Sequence, residues 1–258
     1  MESKKIREIY KVFDSKNRFL AQSSVGIDRN KLNRLLENLY SPGPSFQYIF
    51  DFPNRKFDFV SEGCRLLFGE DPSTFSPDGF VHRIHPDDIP HYVRCQEIAA
   101  HFLFSHIEKE HIPHYKVSFQ FRIKDINEEY KQFLHQAIAL AMDEEHNMSS
   151  VFANHSDIDH LTKVNNRKMS FINVLGGKSY FGIGDIDDLN KCQSQQVFST
   201  REVEVLKLVS EGFSSKEIAD YLYISADTVR THRKNVLGKT GFKNMAQAIT
   251  YCIRDGLI

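Results

Sequence analysis

No tryptophan occurs in this 258-residue chain, and its four cysteines (Cys64, Cys95, Cys192, Cys252) are far apart, with no CxxC pair. Such spacing excludes a disulfide framework and a cysteine-based zinc site, and it suits the reducing cytoplasm. No apolar run approaches the ~18–20 residues of a membrane span, and the opening MESKKIREIY lacks a signal peptide's apolar core. A cytoplasmic protein with no membrane partner is therefore expected. A charge excess is also missing, because 33 Lys plus Arg face 34 Asp plus Glu. Over the whole chain that balance argues against a nucleic-acid partner, since such proteins usually carry basic excess. Catalytic signatures are just as scarce: there is no Ser/His/Asp or Cys/His arrangement, P-loop, dinucleotide fingerprint or phospho-acceptor receiver pattern. Neither an enzyme nor phosphorelay control is expected, and no cofactor is evident.

What the chain does have is the composition of a folded protein, 41% hydrophobic and 26% charged, at a length that suits about two domains. Residues 1–43 read as a helical segment, with Leu32, Leu35, Leu36 and Leu39 striping residues 28–40 until Ser41-Pro42-Gly43-Pro44 stops it. From Phe46 the period changes to two. Phe46, Tyr48, Phe50 and Phe52 share one face, as do Val117, Phe119, Phe121 and Ile123. QFLHQAIALA and SVFANHS read as further strands, although QAIALA is equally helical by propensity. With helical material over 87–104 between early and late strands, residues 44–162 form an α+β domain with an antiparallel sheet. Residues 163–197 read as a hairpin about Gly176-Gly177, followed by the polar linker DIDDLNKCQSQQ.

Twelve histidines raise the question of a metal. His106, His111 and His114 lack the i, i+4 spacing of a helical zinc pair, and Asp185, Asp187 and Asp188 lack the spacing of a calcium loop. No metal site is expected.

Residues 198–258 are helical throughout. Ser199-x-x-Glu202 and Ser214-x-x-Glu217 are capping-box patterns, Gly212 ends the first helix, Ser225 caps a third, and a fourth follows Asn244. Only Tyr223-Ile224 joins the second helix to the third, which is helix-turn-helix spacing. At ~100° per residue, Val229, Val236 and Thr240 fall on one side of the third helix and Arg230, Thr231 and Lys234 on the other. Those outward types suit base edges: Arg and Lys donate to guanine, and the Thr methyl packs on thymine. Arg233, Lys239 and Lys243 suit phosphates, and Ser225 and Thr228 at the helix start offer donors to another. Charge is concentrated here. Residues 227–243 hold five basic side chains against one acid, so a neutral chain conceals a basic reader.

The motifs R-E-x-E-V-L, G-x-S-x-K-E-I-A and I-S-x-x-T-V-x-x-H-x-x-N in this stretch closely resemble the LuxR-type (GerE-like) DNA-binding domain. The resemblance implies an all-α, four-helix module that binds double-stranded DNA through its third helix and can dimerise through its fourth. It implies base readout by Arg230, Thr231 and Lys234, and positioning or phosphate contact by His232. Phe198 and Thr240 stand where the family usually has leucine. Earlier in the chain, Val60-Ser61, Phe68-Gly69, the run IHPDD at 84–88 and Asp157-Ile158-Asp159 resemble a PAS sensor domain. Asn127 replaces that family's usual glycine and Phe133 its usual tryptophan. This second resemblance implies a five-stranded antiparallel sheet holding a hydrophobic hollow for sensing or dimerisation. The 21 phenylalanines leave two readings open, a hollow filled by its own side chains or a pocket for a small molecule. The expectation is a homodimeric transcription regulator, with RNA polymerase a further partner of an activator. An interaction module or a front-half enzyme would be the competing classes.

Overall fold

The computed structural model describes residues 3–26, 41–175, 177–191 and 198–254. Helix α1 (Lys4–Ser15) opens on Ser3, whose hydroxyl accepts from the Ile6 amide, and buries Ile6, Ile9, Tyr10 and Val12. The leucine-striped stretch 28–40 lies outside the described residues. Strands β1 (Ser45–Asp51) and β2 (Lys56–Val60) come next, followed by helices α2 (Gly63–Phe68), α3 (Pro77–Arg83) and α4 (Ile89–His101). Three long strands follow, β3 (Tyr115–Lys124), β4 (Tyr130–Met142) and β5 (Met148–Asp157). This is the PAS-like antiparallel sheet, in spatial order β2-β1-β5-β4-β3.

The sheet does not stop at five strands. Strands β6 (Met169–Asn173) and β7 (Tyr180–Ile183) form the hairpin read from the sequence, and β6 pairs with the open edge of β3 to give a seven-stranded sheet. An unpaired edge leaves a row of unmet backbone donors and acceptors, which the hairpin satisfies. The polar run after it opens as a short helix, α5 (Ile186–Lys191), rather than as plain linker, with the Asp188 carboxylate accepting from the Gly184 amide at 2.7 Å.

Two turns explain how the long strands connect without glycine. The Asp125 carboxylate accepts from the Asn127 and Glu129 amides, and Asp143 accepts from the Glu145 and Asn147 amides. Glu128 and His146 take the left-handed conformation in these turns. Aspartate folding back on amides two residues along is a local turn device, so Asn127 is tolerated where glycine is usual. At the IHPDD run, the buried Asp88 accepts from the Arg122 amide and guanidinium at 2.8–3.0 Å and from Arg167 at 3.1 Å. Burial alone would raise its carboxyl pKa, but the Arg122 hydrogen bonds outweigh this and hold it below the usual range.

The concave face of the sheet is aromatic: Phe46, Tyr48, Phe119, Phe121 and Phe133 pack with Phe68, Phe75 and Phe80 from the helical side. In the middle of this core, His135 and His155 face each other across β4 and β5, with Nδ1 of His135 2.9 Å from Nε2 of His155. His155 Nδ1 has no hydrogen-bond partner among the described residues. Burial depresses both basicities, that of His135 to about 3, and the His135 ring further disfavours charge on His155.

Helices α6 (Thr200–Ser210), α7 (Ser215–Leu222), α8 (Ala226–Thr240) and α9 (Met245–Arg254) make the C-terminal domain. Both capping boxes are closed, since Ser199 and Ser214 each accept from the amide three residues on while Glu202 and Glu217 accept in return. This domain packs on the convex face of the sheet, where Leu134 and Ile158 share one buried cluster with Phe198, Leu206, Val236, Met245, Ala248, Cys252 and Ile253. Phe198, a departure from the usual leucine, thus reaches from the helical domain into the sheet.

The histidine pair makes stability pH-dependent in a definite direction. The folded protein keeps both rings neutral, while the unfolded chain takes up protons below its usual ~6.5. Stability is therefore full above about pH 7 and falls as the pH drops through that value. Replacing both residues, His135→Phe with His155→Phe, should reduce the loss of unfolding free energy between pH 7 and pH 5. The slope should fall by up to ~1.4 kcal/mol per pH unit for each histidine removed. Denaturant unfolding at several pH values measures this, and parallel profiles would refute the assignment.

Candidate nucleic-acid interface and sensor hollow

The turn between α7 and α8 is as short as the sequence implies. Tyr223 closes α7 in the left-handed conformation (φ 55°), Ile224 follows, and Ser225 caps α8 by accepting from the Thr228 amide at 3.0 Å. A left-handed tyrosine is uncommon, and here its side chain points fully into solvent at 95% exposure. Val205, Leu208, Ile218, Ala219 and Val229 form the small core beneath the turn and set the crossing of the two helices.

Helix α8 buries Val229 and Val236 and presents Arg230, Thr231 and Lys234 on its exposed side. These three span little more than one turn, ~6 Å along the axis, which brings them together as a single strip. Arg230 forms an ion pair with Asp227, and the Thr231 hydroxyl donates to the Asp227 carbonyl at 2.9 Å. Both contacts lie within the helix at its exposed start, so a surface pair of this kind holds the Arg230 side chain only weakly. Lys234 is exposed and forms no ion pair among the described residues.

The six residues assigned to phosphate contact divide into two groups. Ser225 and Thr228 share a hydroxyl hydrogen bond of 2.8 Å at the start of α8, and Lys243 is exposed beyond its end. The other three face inward in part. Arg233 donates to the Ser215 hydroxyl at 2.9 Å and ties α8 to the start of α7. His232 is half-buried, and its Nδ1 has no partner among the described residues. Lys239 pairs with the buried Glu202 carboxylate at 2.6 Å, inside the first capping box. Burial would raise the Glu202 pKa, but the Lys239 and Ser199 hydrogen bonds outweigh that and hold it below the ordinary value. Thr240 keeps its hydroxyl satisfied by donating to the Val236 carbonyl at 2.9 Å.

In the front domain, a hollow of about 120 Å³ remains between α1, α4 and the sheet, lined by Tyr48, Tyr92, Phe119, His135, Ala137 and Ala153 among others. A water claims ~30 Å³ of liquid, and an apolar cavity of ~150 Å³ admits benzene, so this space is that of one very small organic molecule. The aromatic side chains fill most of the interior and leave a remnant, which is a middle course between the two readings of the sequence. His135 and His155 occupy inward positions in the same two-residue phase as Phe133, Ala137 and Ala153. That period-two pattern could have marked them as core-facing, although not as a pair.

A short-turn helix pair with an exposed Arg/Thr/Lys strip defines a helix-turn-helix nucleic-acid-binding domain. Residues 196–252 match the family model described as "Bacterial regulatory proteins, luxR family", and the C-terminal domain belongs to that family. The Oxygen regulatory protein NreC of Staphylococcus aureus (strain USA300) is 32% identical over 72 residues, 28% of this chain and 33% of that protein. The chain thus spans about a third of the length of the curated relatives it matches. Over nearly its whole length it is similar to the solved Vibrio cholerae VqmA dimer, with 14% identity, 89% of each chain covered and a TM-score of 0.29. The N-terminal domain of a diguanylate cyclase with PAS/PAC sensor from Marinobacter aquaeolei is similar to it at 14% identity, covering 45% of this chain and 96% of that one, with a TM-score of 0.34.

The Lys239–Glu202 pair separates a structural lysine from purely electrostatic ones. Lys239→Ala leaves a buried carboxylate without its cation and should destabilise the C-terminal domain by ~1–3 kcal/mol. Lys243→Ala should leave stability within ~0.5 kcal/mol. Thermal unfolding of the two variants makes the comparison, and equal midpoints would show that the Lys239–Glu202 pair contributes nothing.

Proposed function

We propose that the chain is a sequence-specific DNA-binding transcription regulator that acts as a dimer, with α8 of each copy in a major groove. The observation that carries this reading is the exposed strip of Arg230, Thr231 and Lys234 on a helix whose opposite side is buried. Arg230 and Lys234 donate to guanine O6 and N7, and the Thr231 methyl packs against thymine. Ser225, Thr228, Arg233 and Lys243 border the strip and take phosphates, while His232 positions the helix from its inner side. Lys239 adds positive potential but remains committed to Glu202. In a two-fold dimer the two reading helices sit ~34–36 Å apart, one helical turn of DNA, on a near-palindromic site. Membership of the C-terminal domain in the luxR family supports DNA as the partner.

The PAS-like domain adjusts this activity. Its hollow takes an uncharged molecule no larger than benzene, since a charge placed among Phe119, Ala137 and Ala153 would go unsolvated. RNA polymerase is the further partner if the chain activates transcription. The described helices include none long and apolar enough to cross a membrane.

Selection from randomised duplexes should enrich one near-palindromic motif, and enrichment of none would sink the sequence-specific reading. Arg230→Ala should relax discrimination at one base position by ~1–3 kcal/mol. Lys243→Ala should weaken all sequences alike and lower the salt slope by about one.

A further inference from the structure

The side chains around the aromatic hollow hold protons whose destinations can be followed one by one. His135 lines the hollow, and its Nδ1 lies 2.9 Å from Nε2 of His155. With both rings neutral, one of these nitrogens donates and the other accepts, which allows two tautomer pairs. If His135 donates, His155 must carry its proton on Nδ1, where no described residue accepts it. If His155 donates, its Nδ1 is instead a bare lone pair. A buried N–H without an acceptor is rarer in folded proteins than an acceptor short of a donor. The second pair is therefore the less costly one, and it places the His135 proton on Nε2. That nitrogen makes no hydrogen bond to a described residue.

We propose that the hollow selects a small uncharged hydrogen-bond acceptor, a molecule whose carbonyl oxygen or bare ring nitrogen takes the Nε2–H of His135. The proposal rests on the hollow being the sensor site and specifies what that site takes. The tyrosines point the same way. The hydroxyls of Tyr48 and Tyr92, which also line the hollow, bond to each other. Such a pair uses one of its two protons internally and leaves one O–H over. Tyr10 and Tyr115 direct their protons away, to the carbonyls of Arg55 and Lys178. Gln96 offers a donor and an acceptor alike and so does not discriminate. The balance in the hollow is an excess of donors. A ligand that only donates would set its own proton against that of His135. A wholly apolar ligand would leave the protein's donors without water or partner.

The test uses the full chain at about pH 8, without DNA, and three ring probes of similar size. Pyridine only accepts a hydrogen bond, pyrrole only donates one, and benzene lacks both functions. In calorimetric titration pyridine should bind once per chain and about tenfold more tightly than pyrrole, the worth of one buried hydrogen bond. His135→Leu should bring the two probes to within about twofold of each other. Long-range proton–nitrogen NMR of the unaltered chain reads the tautomers directly, whether or not the variant folds. It should show His135 and His155 both protonated on Nε2, and the His135 Nε2 proton should shift when pyridine is added. A preference for pyrrole, equal binding of pyridine and pyrrole, or a proton on His135 Nδ1 would overturn the proposal while leaving the hollow a site for benzene-sized molecules. Failure of all three probes to bind at millimolar concentration would refute the hollow as a site, and the proposal with it.

Discussion

The central sheet is buried on both of its faces, and the rest of the molecule is arranged around that condition. Strand β4 has almost no exposed position between Gln132 and Ala141. Its inward residues Phe133, His135 and Ala137 belong to the aromatic core, while Leu134 faces the C-terminal domain. A sheet covered on one side only would leave Leu134, Ile138 and Leu140 in water, at ~1.5–3 kcal/mol for each large aliphatic side chain. The reading domain covers this face at Leu134, whereas Ile138 and Leu140 pack in a separate cluster with Ile49 and Phe152. Sensor and reader therefore share a hydrophobic cluster, and anything that alters packing on one face of the sheet lies one strand thickness from the other.

Charge is organised at the same level. Counted along the sequence, residues 227–243 look uniformly basic. In space, Arg230 meets Asp227, Lys239 is drawn to Glu202, and Arg233 is turned onto Ser215. Lys234 and Lys243 stay exposed at the two ends of this surface. The lysine buried deepest among the described residues, Lys116, lies elsewhere, in the sheet, where the Lys207 charge disfavours its own.

How legible each element was depended on how local its causes are. The reading domain was clear because caps, turn and wheel all operate within a few residues: Ser199 with Glu202, Ser214 with Glu217, and Tyr223-Ile224 between the paired helices. The first strands were clear from their alternation. QAIALA was ambiguous because a strand buried on both faces loses the polar positions that betray its period. The hairpin about Gly177 could be seen, but not its pairing with β3, since edge pairing joins residues more than fifty positions apart, such as Val117 and Phe171. Five strands became seven for that reason. The short helix at Ile186 was hidden by a polar composition that suits loops equally well.

The sequence by itself determined the capped helices, the outward identity of Arg230, Thr231 and Lys234, the inward alternation of the aromatic strands, and the resemblance of its C-terminal part to the luxR family. All of these follow from interactions between near neighbours, whose geometry the 3.6- and two-residue periods already specify. Only the tertiary structure decided that Lys239 serves Glu202, that His135 meets His155, that Phe198 joins Leu134 in one cluster, and that Lys116 is buried in the sheet. These partners come from segments with no fixed spacing along the chain. Their pairing depends on which faces remain apolar after local folding, and it is settled when those faces leave water together.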